Sequence, residues 1–185
     1  MEIKGTAVKT IPDFVRSKFP DRYEEWLSSL PEDSKKIIGN IIFANNWYPL
    51  EAAATIPTKQ IGIILYANNP VQAAMESGRY SAEVGLTGIY RFFVKASSPS
   101  FIISMGGKIL STYYRPSEMK VASSTNNNII MHITKFPEIN VIIENRVAGW
   151  VQKALEISGC KNVNILISQS LTRGNPVTEY KISYL

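Results

Sequence analysis

Before Pro116 the apolar residues of this chain recur at helical spacing; after it they alternate or run together as they do in strands. That switch of period divides the sequence into a helical part, 10–115, and a sheet-forming part, 116–185, within one predicted domain spanning 1–185. In "PDRYEEWLSSL", Tyr23, Trp26, Leu27 and Leu30 share one helix face. Thr10 is a candidate N-cap for "TIPDFVRSKF", whose proline falls early in the helix. Residues 45–67 read as helical with a break at Pro57. Asn69 and Pro70 supply a cap and a first-turn proline for a long helix. On that helix Val71, Ala74, Met75, Gly78 and Ala82 make a stripe of mostly small residues, which predicts close approach of another helix. Ser98 and Pro99 open a further helix that ends near Tyr113.

After Pro116, "EMKVASS" and "NIIMHITKF" suit strands, joined by a turn at "SSTNNN". "EINVIIENRVAGWVQKALEISG" is a helix closed by Gly159. "NVNILISQSL" and "VTEYKISYL" alternate again, with "RGNP" between them as a hairpin turn. Helices followed by strand–strand–helix–strand–strand define an α+β fold, the N-terminal helical half packed on a four-stranded antiparallel sheet.

The bulk properties narrow the function classes. The chain has 185 residues, 45% of them hydrophobic and 19% charged, an ordinary globular composition. One cysteine, Cys160, excludes an intramolecular disulfide and a four-cysteine zinc site. With no apolar leader in "MEIKGTAVKTIPDF", the expected compartment is the cytoplasm. The longest apolar runs fall short of a membrane span. The net charge of +5 is spread along the chain without a basic stripe, so nucleic acid is not an expected partner.

No motif names a reaction. "GGK" at 106–108 lacks the rest of a phosphate-binding loop, and its small residues are read as packing. His132 lies in a strand pattern without other metal-ligand types beside it. Cys160 follows a helix C-terminus, a poor place to stabilise a thiolate. Glu76, Glu83, Glu138 and Glu144 have polar-face explanations. The aromatic residues say more. Trp47, Tyr48, Tyr80, Tyr113, Tyr114 and Trp150 gather in the helical half and at its junction with the sheet. With Arg79 and Arg115 as anchors for an acidic group, they are the candidate ligand-binding set. A plain corner explains "YYRP" as well, with Arg115 serving the last-turn carbonyls of the preceding helix.

The order of elements, "WYP" at 47–49, Gly78–Arg79–Tyr80 in a mid-chain helix, the tyrosine pair before the sheet and "GW" at 149–150 resemble bacterial members of one superfamily. It includes haem–nitric-oxide-binding (H-NOX) sensor domains, 4-vinyl reductase domains and the TRAPP vesicle-tethering subunits. The resemblance implies an α+β fold with a pocket between helices and sheet, and a sensory or scaffolding role. The haem sensors of that group use a helical histidine and a Tyr-x-Ser-x-Arg motif. "YYRPS" at 113–117 has these residue types in another order, and His132 is the only histidine. The expectation is therefore a non-enzymatic small-molecule-binding or sensory domain, with neither haem nor another cofactor. The ligand would be small and apolar or acidic, with a signalling partner or homodimer as the contact it controls. The competing reading is a ligand-free interaction or homodimerisation module using Ala74, Gly78 and Ala82.

Overall fold

The structure, a computed structural model, describes residues 1–86 and 105–185. Among these the chain runs β1 (Glu2–Lys4), α1 (Gly5–Lys18), α2 (Tyr23–Ser28), α3 (Glu32–Ile38), β2 (Trp47–Pro49), α4 (Ile56–Leu65) and α5 (Pro70–Leu86). It continues with α6 (Gly106–Tyr113), β3 (Tyr114–Arg115), β4 (Glu118–Ser124), β5 (Asn128–Lys135), α7 (Val141–Ile157), β6 (Asn164–Gln169) and β7 (Thr178–Ser183). The fold is α+β, its N-terminal helical region packing on a four-stranded antiparallel sheet of order β4-β5-β7-β6.

Strand alternation decides which sheet face meets the helices. Ile129, Met131 and Ile133 of β5 and Tyr180 and Ile182 of β7 are buried in the common core. Lys120, His132 and Lys181 occupy the opposite phase. Asn140 caps α7, accepting from the backbone N–H groups of Ile142 and Ile143 at 3.1 Å each. Gly159, at φ +104°, ends that helix in the left-handed region, which glycine enters without a Cβ penalty.

Helices α5 and α7 pack through glycine. A Cβ on Gly78 would stand 2.0 Å from the carbonyl oxygen of Arg146, and one on Gly149 would stand 2.1 Å from that of Met75. The close approach expected from the small-residue stripe is thus within the chain. Ala74 and Ala82 are fully buried, so this stripe does not offer the homodimer contact considered above. Glycine acts likewise under α6, where a Cβ on Gly107 would meet the carbonyl oxygen of Met119 at 2.3 Å.

Several local expectations are corrected. Helix α1 begins at Gly5, with Thr10 and Pro12 inside it. The Thr10 hydroxyl donates to the Ala7 carbonyl at 2.7 Å, a within-helix bond that takes the place of capping. Residues 47–49 are a strand, because Tyr48 pairs with Ile3 on one side of β1 while Tyr114 pairs with it on the other. This three-stranded sheet, β2-β1-β3, was not foreseen. Pro57 does not break a helix. One turn of π-helix, Glu51–Thr55, leads directly into α4, and the helical backbone continues through Pro57, its second residue. The predicted start at Ser98 and Pro99 lies outside the described residues.

Candidate functional site

A cavity lies where α5, α6 and α7 meet the sheet. Helix α7 contributes Val147, Trp150, Val151 and Leu155; α6 contributes Ile109, Leu110 and Tyr113. Met119 of β4 and Met131 of β5 form the sheet side. Ser81 and Arg146 are also among the lining residues, as is Ala7 of α1. The cavity's volume is about 50 Å³. One water needs roughly 10–15 Å³, and a dry engineered cavity of about 150 Å³ admits benzene. As it stands, the cavity suits a few waters or a short apolar group.

Local sequence explains the placing of its walls. Gly106 and Gly107 let α6 settle on the two methionines, since a Cβ on Gly106 would come within 2.5 Å of the Met131 methyl. Trp150 faces Tyr113 across the cavity, with ring centroids 6.4 Å apart and planes tilted by 54°. Tyr114, in β3, packs on Phe136 with centroids 5.5 Å apart.

The eight residues picked out from the sequence fall into three places. Tyr113, Tyr114 and Trp150 line the cavity. Trp47, Tyr48 and Arg115 lie on the small sheet. There the Arg115 guanidinium stacks 4.0 Å from the Trp47 ring centroid and its Nε donates to Glu2 at 2.7 Å. Tyr48 accepts from the Phe43 N–H at 2.9 Å. Arg79 and Tyr80 are on α5. Arg79 grips Glu156 through two bonds of 2.9 Å and donates to Gln152 at 2.8 Å, tying α5 to α7. Tyr80 packs on Phe14, and burial pushes its phenol above the ordinary range.

Sequence reasoning passed over Arg146 and the two methionines. Arg146 is 2% exposed. Its guanidinium donates to the Ala7 carbonyl at 3.1 Å, to the Thr10 hydroxyl at 2.9 Å and to the Ser77 hydroxyl. A signal was present: Arg146 lies a helical step from both Ile143 and Trp150, so it interrupts the apolar face of α7.

His132 is elsewhere. Met131 faces the cavity, so strand alternation turns His132 to the other side of the sheet. There its Nε2 is 2.8 Å from Glu179, which also accepts from Ser168 at 2.6 Å. Those hydrogen bonds, Ser168 first and His132 next, hold the Glu179 carboxyl below its usual range. Cys160 is buried and free, and burial raises its thiol pKa. No cluster of three or more metal-ligating side chains occurs among the described residues.

No protein family's sequence profile matches the chain, and no curated protein sequence does. Solved structures do match. An H-NOX protein from S. oneidensis in the Fe(II)NO ligation state shares 12% identity at a TM-score of 0.73, covering 99% of both chains. The Fe(II) unliganded H-NOX protein from K. algicida shares 11% at 0.72, over 99% of this chain and 97% of that one. A mutant H-NOX from T. tengcongensis shares 11% at 0.67, over 98% and 97%. The chain therefore has the H-NOX-like fold over its whole length. The sequence's one histidine is on the far face of the sheet from this cavity and bonded to Glu179, so no histidine stands among the lining residues described.

Proposed function

We propose that this chain is a non-enzymatic binding domain that takes up a small, largely apolar molecule in the cavity between α6, α7 and the sheet and acts as its sensor. The observation that carries the reading is the cavity itself. Among the described residues, apolar and aromatic side chains make up most of its lining, the composition of small-molecule sites. Of the residues picked from the sequence, Tyr113, Tyr114 and Trp150 would touch the ligand. The H-NOX-like fold supports a sensory role by analogy. The placing of His132 argues for a ligand other than histidine-bound haem.

Native mass spectrometry of protein purified from its own host tests this. The expected result is a stoichiometric small molecule that Trp150→Ala releases. Reconstitution with haem is expected to give no protein-bound Soret band. A sharp band at one haem per chain would overturn the choice of ligand, and an empty protein that takes up no apolar probe would overturn the binding role.

A further inference from the structure

Arg146 is a cation in the core with no anion beside it. It forms none of the ion pairs found among the described residues. The stretch 87–104 holds no Asp or Glu that could supply one. Glu144, on the same helix, is committed to hydroxyls: Ser170 donates to it at 2.8 Å, Thr172 at 3.3 Å, and Thr178 donates as well. Burying an uncompensated charge is costly, and neutral hydroxyls and a carbonyl offset only part of that cost. A guanidinium has five N–H donors. The three bonds to Ala7, Thr10 and Ser77 leave Nε–H and one Nη1–H without an acceptor among the described residues. Arg146 also lines the cavity, whose other walls are mainly apolar.

We infer that the cavity takes a short-chain organic monoanion, its carboxylate on the Arg146 guanidinium and its hydrocarbon tail between Trp150 and the two methionines. A carboxylate accepting from the free Nε–H supplies the missing counter-charge. The cavity as it stands is smaller than such an anion needs, so only a short tail enters, with the flexible Met119 and Met131 side chains giving way. Ala7, Thr10 and Ser77 position the guanidinium, so it is ordered before the ligand arrives. This inference rests on the binding role proposed above and narrows it to one class of ligand.

Butyrate, its neutral isostere butyramide, 1-butanol and sodium chloride are titrated into the full chain labelled at the methionine methyls. Butyrate is expected to shift the Met119 and Met131 signals saturably and to bind at least tenfold more tightly than butyramide. Arg146→Gln is expected to abolish that preference. Should Arg146→Gln fail to fold, Arg146→Lys, which keeps the charge without the Nε–H donor, is expected to show a reduced preference. Equal binding of butyrate and butyramide to the unaltered chain would overturn the anion site and leave the apolar cavity standing. Competition by chloride as effective as butyrate would overturn an organic ligand. Failure of butyrate, butyramide and butanol alike would sink both this inference and the binding role.

Discussion

Gly78 and Arg146 meet backbone to backbone: a methyl group on the glycine would stand 2.0 Å from the arginine's carbonyl oxygen. Neither side can yield without moving a helix. Gly78→Ala should therefore destabilise by about 1–3 kcal/mol even though alanine is the better helix former. Gly85→Ala on the same helix is the control. There the nearest atom among the described residues, the Tyr113 hydroxyl, is 3.8 Å from the added carbon, so a gain of up to about 1 kcal/mol is expected. Urea unfolding midpoints should move in opposite directions for the two variants.

The Arg79–Glu156 pair joins α5 to α7 with both side chains about a quarter exposed. Arg79→Ala should cost about 1 kcal/mol at low ionic strength, and the difference from the unaltered chain should shrink as salt is added. A loss of several kcal/mol, or one indifferent to salt, would contradict that account of the pair.

Glu179 gives the fold an acid-sensitive contribution. Its folded carboxyl titrates below the unfolded one because Ser168 and His132 bond it. The stabilisation is complete above the unfolded value of about 4.3 and is lost as pH falls through the lower folded value. Ser168→Ala should lower the urea midpoint at neutral pH and reduce its drop on acidification. An unchanged acid limb would remove Ser168 from the explanation.

Cys160 acts on the alkaline side. Burial raises its folded pKa, so its contribution is complete below the unfolded value of about 8.5 and is lost as pH rises through the folded one. Ellman's reagent should label the native chain much more slowly than the urea-unfolded chain. Cys160→Ala should flatten part of the decline in midpoint above neutral pH; the same slope in both proteins would refute the link.

How much could be read beforehand follows from element length. The strands β4, β5 and β7 and helix α7 are long enough to show a period, and the turns between them carry Asn, Gly or Pro. The stripe through Ala74, Gly78 and Ala82 correctly announced a helix neighbour. A short strand could be read within 2–10, but the β2-β1-β3 sheet could not, because its strands have two or three residues, too short for alternation, and exist only through pairing across the chain. Thr10 has the chemistry of a cap, but its position is settled by burial of Ile11 and Phe14 on a helix that starts earlier. Tyr113, Tyr114 and Trp150 could be assembled from their closeness to the helix–sheet junction. Arg146 could not, because a lone charge on an apolar face looks like an interruption until the missing counter-ion is visible in three dimensions.

The glycine contacts rivet the α5–α7 wall, while the opposite flank rests on thioether ends. Substitutions that resize the cavity from the α5–α7 side must prise two backbones apart, whereas those at Met119 or Met131 ask only a flexible side chain to refold. Selectivity in such a scaffold would drift through its methionines, and a designer wishing to enlarge the chamber should begin there.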